Sequence, residues 1–163
     1  RDGDNLRKEL QYLIDNNVVE KGEYQLTNAL ENMKAKGMKF VPGNVEEWLD
    51  CGNKDATIHT NQRVLEHHRG DKLIADSVRN SGSVILEPCF IGENVELINC
   101  IIGPHVSIGA GSRLEQVVVS NSILQTGTRI THAVLTNSMI GHSAEVAGRA
   151  AELSLSDYST HRA

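Results

Sequence analysis

One carboxylate in the first half of the chain stands where it could hold a metal ion against phosphate. The segment Trp48-Leu49-Asp50 is predicted to end a strand, and Cys51-Gly52 leads into a helix that begins at Asn53. Carboxylate oxygens are ligands that Mg²⁺ prefers, and the N-terminus of a helix favours anions such as phosphate. The same pattern is expected if Asp50 only caps the turn with its side chain. Local sequence favours neither interpretation over the other.

A second carboxylate, Glu23, lies in Gly22-Glu23-Tyr24-Gln25-Leu26-Thr27-Asn28, just ahead of a predicted helix. Its oxygens could accept hydrogen bonds from sugar hydroxyls. A solvated loop carboxylate has the same sequence signature, and the spacing alone favours that simpler interpretation.

Composition limits what the chain can be. It has 163 residues, enough for one ordinary domain or two small ones, and a net charge of −5, which argues against nucleic acid as a partner. No uninterrupted apolar run approaches the length that a bilayer requires, so no membrane-spanning helix is predicted. The three cysteines, Cys51, Cys89 and Cys100, cannot all pair and form no C-x-x-C motif, which favours reduced thiols in a cytoplasm and no zinc site.

The chain changes character near residue 80. Residues 1–80 carry 12 of the 16 basic residues, and no lysine follows Lys72. Residues 1–80 are predicted to form three helices, over about 4–15, 28–36 and 53–67, with short strands at 38–41 and 45–49. Asn28 with Glu31 resembles a capping box, and Gly37 suits a helix C-terminus. The two short strands form too little sheet to cover three helices. Residues 1–80 are therefore expected to be part of a larger α/β domain.

Residues 81–163 follow a six-residue period. Hexads with an aliphatic first residue begin at Ile91, Ile102, Ile108, Ile130 and Ile140, usually with glycine second. A related repeat occurs at 97–102, 119–124 and 135–140. Three hexads make one triangular coil of a parallel β-helix, with the aliphatic residue inward and glycine or asparagine at the turns. The pattern predicts a left-handed β-helix of about four coils from Ser83 to Gly148, against an antiparallel sandwich as the alternative.

Histidines within this repeat raise a rival function. Hexapeptide-repeat acyltransferases use the same β-helix, with acetyl-CoA as acyl donor and a histidine as base. His105, His132 and His142 all occupy non-aliphatic positions and are expected to face outward as solvated surface residues. The flat faces and open ends of a β-helix also favour self-association, so a purely structural role in assembly or regulation is a third possibility.

Both halves together resemble one family. The motif G-E-Y-Q-L-T-N-A-L (22–30), followed by W-L-D-C-G-N-K-D-A-T (48–57), is similar to the latter part of sugar-1-phosphate nucleotidyltransferases. The glucose-1-phosphate thymidylyltransferase-like subgroup, which carries a C-terminal hexapeptide β-helix, is the nearest match. The closing L-S-L-S-D-Y-S-T (153–160) resembles the tail of that subgroup. The resemblance implies an α/β fragment of a Rossmann-like nucleotidyltransferase domain over 1–80 and a β-helix with its tail over 81–163.

The resemblance also implies a chemistry. Such enzymes transfer a nucleotidyl group from a nucleoside triphosphate, here dTTP or UTP, to a sugar 1-phosphate, here glucose 1-phosphate, with release of pyrophosphate. Asp50 matches the later of two aspartates that bind Mg²⁺, and Glu23 lies in the motif that borders the sugar pocket. That motif usually ends in Thr-Asp, but here it ends in Thr27-Asn28. No residue of this chain is assigned a catalytic role beyond these.

Other family motifs are absent. The Gly-rich loop G-x-G-[ST]-R-L that holds the triphosphate, and the first metal aspartate, should precede the matched region. The one copy of the loop pattern, at 109–114, stands in hexad register between the inward residues Ile108 and Leu114, and the repeat explains it. We therefore expect the chain to be the C-terminal fragment of such an enzyme, inactive by itself, with its β-helix serving assembly or regulation.

Overall fold

Two helices form early in the chain because apolar residues recur there at helical spacing. In this computed structural model, which describes residues 3–148 and 154–162, helix α1 spans Gly3–Asp15 and helix α2 spans Leu26–Ala35. They pack against each other through the buried residues Leu13, Ala29 and Met33. The chain divides into two compact units, Arg1–Glu47 and Trp48–Ala163, and these helices belong to the first.

The helix predictions hold and the early strand predictions do not. Helix α2 begins two residues before Asn28, and its N-cap is Gln25, which makes no side-chain capping bond, so the predicted capping box is wrong. Gly37 adopts the predicted left-handed backbone, with φ of 90°. The strands expected at 38–41 and 45–49 do not form, since a strand needs a hydrogen-bonding neighbour and these segments pair with no other described segment.

The second unit opens with helix α3 (Lys54–His67) and continues as a solenoid of short parallel strands. One sheet contains β1 (Arg79–Ser81), β4 (Glu96–Ile98), β7 (Arg113–Glu115), β10 (Arg129–Thr131), β13 (Glu145–Ala147) and β15 (Thr160–Arg162). The second sheet contains β2 (Val84–Ile85), β5 (Ile101–Ile102), β8 (Val118–Ser120) and β11 (Val134–Thr136). The third sheet contains β3 (Cys89–Ile91), β6 (Val106–Ile108), β9 (Ser122–Leu124), β12 (Met139–Ile140) and β14 (Ser154–Leu155).

Three parallel sheets built from every third strand confirm the β-helix of about four coils. The described strands also extend beyond the predicted range of 83–148, from Arg79 to Arg162. Leu153, the first residue of the tail motif, lies outside the described residues. One coil is slightly shorter than three full hexads, as the pairing of Arg113 with Arg129 shows, because some sides of the triangle lack a residue of the hexad.

The interior of the solenoid is an aliphatic ladder. In each sheet the inward residues stack directly on one another, and away from the end strands β1, β2 and β14 the aliphatic side chains of the ladder are at most 2% exposed. The repeated segments at 119–124 and 135–140 are one coil apart, since Val119 pairs with Leu135. Cys89 and Cys100 are buried in this core, and burial raises the pKa of the Cys89 thiol.

Glycine serves two purposes in the solenoid, and asparagine shares one of them. The left-handed backbone falls on corner residues such as Asn94 and Asn121, where asparagine tolerates it well, and also on Gly111. Gly109, the second residue of its hexad, is needed for space instead, since a Cβ there would lie 2.4 Å from the Thr126 backbone nitrogen of the next coil. The Gly-rich pattern at 109–114 is therefore a solenoid turn, as the repeat predicted.

Candidate functional site

The turn that carries Asp50 is organised by its own side chain. Asp50 Oδ1 accepts hydrogen bonds from the backbone nitrogens of Cys51 (2.8 Å) and Gly52 (3.1 Å). Glycine at position 52 leaves room for this arrangement, since a Cβ there would lie 3.2 Å from Asp50 Oδ2. The turn-capping geometry is thus present, and it engages only Oδ1. Within the described residues, Oδ2 makes no hydrogen bond.

Helix α3 holds this turn in place. Asn53 is its N-cap and accepts a hydrogen bond from the Ala56 nitrogen at 2.9 Å, as the sequence predicted for the start of this helix. One turn further on, the Thr60 hydroxyl donates to the Asp50 carbonyl oxygen at 2.6 Å. The backbone around Asp50 is therefore fixed by the first turns of α3, and the carboxylate lies beside a helix N-terminus.

Helix α3 in turn is docked on the solenoid. Ile58 and Leu65 are buried, and Asn61 accepts a hydrogen bond from the Ser107 hydroxyl at 2.6 Å. Nearer the start of the helix, the Lys54 amine donates to the Asn137 carbonyl oxygen at 3.3 Å. These contacts join the helix after Asp50 to the β6 strand and to a solenoid corner. Sequence reasoning missed this docking, because its partners are distant from one another along the chain.

Glu66 of helix α3 contacts His105 of the solenoid. Glu66 Oε1 lies 2.5 Å from His105 Nε2, and Glu66 also accepts from the Arg69 guanidinium at 2.8 Å. The hydrogen bond from Arg69, reinforced by that from His105, lowers the pKa of Glu66 from 4.5 to about 2. Glu66 therefore stays ionised at every ordinary pH and holds the histidine ring against the helix.

The three solenoid histidines differ in their surroundings. His105 does not face solvent as predicted, because α3 covers its side chain, which is only 15% exposed. His132 is exposed and, like His105, occupies a left-handed corner, with φ of 53°. His142 lies against Thr126 Oγ1 (2.5 Å) and packs edge-to-face on Tyr158. The left-handed backbone of the solenoid corners therefore accounts for the positions of His105 and His132, and no catalytic role is needed to explain them.

Glu23 ends a tight turn in the first unit. The backbones of Glu20 and Glu23 exchange two hydrogen bonds, and Lys21 and Gly22 between them both adopt positive φ, as in a type I′ turn. The Glu23 carboxylate is exposed and accepts from the Gln25 amide at 3.3 Å. Glu23 and Asp50 belong to different units, and the structure describes each within its own unit.

Metal-binding side chains are sparse in the part of the chain that the structure describes. No group of three or more histidine, cysteine, aspartate or glutamate side chains there could enclose a metal ion. The donor set of Asp50 nevertheless suits Mg²⁺, which is commonly bound by one or two carboxylates plus substrate phosphates and water. Asp50 can supply one such ligand through Oδ2 while Oδ1 holds the turn. Among the described helices, none is long and apolar enough to cross a membrane.

The described residues combine three features. These are a helix pair, a turn at Asp50 that leads into a helix docked on the solenoid, and the parallel β-solenoid itself. The chain is similar to a glucose-1-phosphate thymidylyltransferase of Streptomyces antibioticus, with 26% identity over 142 residues. The match covers 77% of this chain but only 40% of that relative. Since 77% of the chain is more than the second unit contains, the match includes parts of both units. No protein-family model matches the chain.

The resemblance predicted from the sequence motifs is therefore confirmed, at the level of a distant relative. It supports a nucleotidyltransferase as the kind of enzyme to which the chain is related. The chain spans well under half the length of the relative that it matches.

Proposed function

We propose that this chain is the C-terminal part of a sugar-1-phosphate nucleotidyltransferase. The complete enzyme would transfer a nucleotidyl group from dTTP or UTP to glucose 1-phosphate and release pyrophosphate. The observation that carries the proposal is the similarity to a glucose-1-phosphate thymidylyltransferase across both units of the chain. The parallel solenoid that follows the aspartate turn is the architecture which the resemblance implied.

Exposed apolar residues in the first unit support a larger catalytic domain. Its side chains include several aromatic and aliphatic groups that are half exposed or more: Tyr24, Leu26, Phe40, Val41 and Val45. So many exposed large apolar residues around two short helices are typical of a surface that another part of a protein covers. In the proposal, the upstream α/β sheet of the enzyme covers them and gives the segments at 38–41 and 45–49 strand neighbours.

Asp50 and Glu23 are the residues of this chain proposed to serve the reaction. Asp50 would bind Mg²⁺ through Oδ2, at a position fixed by its bonds to Cys51 and Gly52. When bound, Mg²⁺ would neutralise charge on the phosphates during transfer. Glu23, exposed at the end of its turn, would accept hydrogen bonds from sugar hydroxyls. We place the enzyme in the cytoplasm, since Cys51, Cys89 and Cys100 are unpaired.

The 163-residue chain by itself should not catalyse transfer. A single carboxylate offers one ligand to the metal, and the chain carries no triphosphate loop outside the solenoid turn at 109–114. The solenoid is proposed to serve assembly or regulation, with copies of the chain associating through it. Purified chain given Mg²⁺, glucose 1-phosphate and dTTP or UTP should release no pyrophosphate above background. Robust release of pyrophosphate would contradict the proposal that this chain is inactive without the rest of the enzyme.

A chimera tests the proposal in an active context. The matching segment of the Streptomyces antibioticus relative would be replaced by this chain, and pyrophosphate release from dTTP and glucose 1-phosphate would be measured. Asp50→Asn in the chimera should lower activity at least about 100-fold, since a metal ligand is lost. The matched control is Asp55→Asn, which removes a carboxylate from the first turn of the same helix and should retain activity. Equal activity in both variants would remove Asp50 from the proposed site.

A further inference from the structure

Asp50 belongs to the same compact unit as the solenoid. The second unit begins at Trp48, just ahead of the proposed metal ligand, and includes the whole solenoid. The turn at Asp50 leads directly into α3, and α3 lies against strand β9 of the solenoid. The position of the Asp50 carboxylate therefore depends on how the solenoid holds α3.

Helix α3 needs the solenoid for its own stability. It has 14 residues, a length at which an isolated helix is only marginally stable in water, so its order depends on tertiary packing. Ile58 and Leu65 lie seven residues apart, on one face of the helix, and are only 3% and 4% exposed. The turn that carries Asp50 is continuous with a helix that the solenoid keeps folded.

Two polar contacts fix the register of α3 on the solenoid. The Ser107 hydroxyl donates to Asn61 Oδ1 at 2.6 Å, and His105 Nε2 lies 2.5 Å from Glu66 Oε1. Apolar packing alone would permit small rotations or shifts of the helix, whereas paired polar groups are satisfied in one arrangement only. His105 and Ser107 therefore determine where α3 sits, and not only that it is folded.

A third contact holds the end of α3 that is nearest to Asp50. The Lys54 amine donates to the Asn137 carbonyl oxygen at 3.3 Å. Asn137 lies at the same corner of the solenoid as His105, two coils further along. The Thr60 hydroxyl then passes the constraint to the turn, since it donates to the Asp50 carbonyl oxygen at 2.6 Å. An unbroken series of contacts thus runs from the solenoid corner to the backbone of Asp50.

We propose that His105 and Ser107 are positioning residues for Asp50. By fixing α3 they hold the Asp50 turn in place, and with it the Oδ2 atom that is proposed to bind Mg²⁺. The inference rests on the role of Asp50 given under the proposed function, and it adds a part in the metal site to the role of the solenoid. Partners that orient a metal ligand commonly change metal affinity by about 10- to 100-fold.

The chimera with the Streptomyces antibioticus relative tests the proposal through its requirement for Mg²⁺. Pyrophosphate release would be measured over a range of Mg²⁺ concentrations in the double variant His105→Asn/Ser107→Ala, in which asparagine tolerates the left-handed corner backbone. The Mg²⁺ concentration that gives the half-maximal rate should rise about tenfold, while the rate at saturating Mg²⁺ falls less than about threefold. Loss of folded enzyme would instead lower the rate equally at every Mg²⁺ concentration.

The matched control is the double variant His132→Asn/Ser120→Ala. His132 occupies a solenoid corner with φ of 53°, close to the 60° of His105, but its side chain is exposed. Ser120 lies in a strand, as Ser107 does, and donates to Thr136 of the neighbouring coil. These substitutions make the same chemical changes at positions whose contacts are not with α3, so the Mg²⁺ requirement should stay that of the unaltered chimera.

The outcomes separate this inference from the proposed function. A chimera that keeps its activity after Asp50→Asn would overturn the role of Asp50, and this inference with it. If Asp50→Asn abolishes activity but His105→Asn/Ser107→Ala leaves the Mg²⁺ requirement unchanged, the proposed function stands and the positioning role is wrong.

Amide hydrogen exchange in the chain itself supplies a test that needs no activity. The amides of Cys51 and Gly52 donate to Asp50 Oδ1, so their exchange, followed by NMR, reports on the turn. Exchange at both should become about tenfold faster in His105→Asn/Ser107→Ala and stay unchanged in the control, while the core amides of strand β7 keep their protection. Unchanged exchange at Cys51 and Gly52 would overturn the proposal even if the chimera is inactive.

A single substitution guards against misfolding of the double variant. Ser107→Ala removes one hydroxyl from an outward strand position, so it should fold normally and lose only the bond to Asn61. Should the double variant fail to fold, Ser107→Ala should still speed exchange at Cys51 and Gly52 by about threefold, with Ser120→Ala as its control. Equal exchange in these two single variants would overturn the proposal.

Discussion

The two units of the chain bury their apolar residues to different degrees. In the solenoid, inward residues such as Leu97, Leu114 and Ile130 are fully buried, because each coil covers the one before it. In the first unit, Leu13 and Met33 are buried but Phe40 is half exposed and Val41 almost wholly so. A repeat architecture completes its own core, whereas a helix pair needs a partner. The difference supports the proposal that the first unit belongs to a larger domain.

Truncation of a core side chain should reveal the largest difference between the units. Leu114→Ala, inside the solenoid, should lower the free energy of unfolding by about 2–5 kcal/mol, since it leaves a cavity in a closed core. Val41→Ala, in the first unit, should change it by less than about 0.5 kcal/mol, because that side chain is 86% exposed. Urea unfolding followed by circular dichroism would measure both. Equal losses of unfolding free energy in the two variants would contradict the difference in burial between the two units.

Glycine substitutions should show the same contrast. A Cβ at Gly109 would lie 2.4 Å from the backbone nitrogen of Thr126, so Gly109→Ala should force the coils apart and cost about 1–3 kcal/mol. Gly43 in the first unit has nothing within 4 Å of such a Cβ, and Gly43→Ala should be neutral or slightly stabilising. Melting temperatures of the two variants would be compared. A destabilised Gly43→Ala would show that the first unit is packed more tightly than the structure indicates.

The helix caps offer a smaller contrast. Asn53 caps α3 through its bond to the Ala56 nitrogen, so Asn53→Ala should cost about 1 kcal/mol. Gln25 occupies the N-cap of α2 without a side-chain bond, so Gln25→Ala should cost almost nothing. Both would be measured by urea unfolding. The prediction fails if the two substitutions have the same effect.

The pH dependence of the α3 contact should be the smallest effect. Because Arg69 and His105 hold the pKa of Glu66 at about 2, below its ordinary 4.5, this contact stabilises the folded chain above about pH 4.5. Its contribution is lost as the pH falls from about 4.5 to about 2. Stability of Glu66→Gln should therefore fall less over this range than that of the unaltered chain.

The matched control for this pH prediction is Glu31→Gln in the first unit. Glu31 pairs with Lys34 at 4.0 Å, and both side chains are largely exposed, so this pair contributes little. Thermal unfolding across the acidic range in which Glu66 titrates would follow all three proteins. If stability depends on pH in the same way in Glu66→Gln and in the unaltered chain, the Glu66 contact does not stabilise the fold.

The sequence was sufficient to predict the elements whose determinants are local. Helices α1 and α3 follow from apolar spacing and from the Asn53 cap, and the solenoid follows from its hexads. The strands expected at 38–41 and 45–49 were wrong because a strand depends on neighbours that the described residues do not supply. The contact of Glu66 with His105 could not be predicted, since it joins a helix to a corner distant along the chain. The roles of Asp50 and Glu23 stay predictions, because they depend on ligands and on partner residues.

The most direct test of the central claim is the coding sequence upstream of Arg1. If the chain is the C-terminal part of a sugar nucleotidyltransferase, the same reading frame should encode a strand that runs into G-x-G-[ST]-R-L, followed by a second metal-binding aspartate. A stop codon or a start codon immediately before Arg1 would contradict the claim. The solenoid would then be the functional part of the protein, with acyl transfer or scaffolding as its candidate roles.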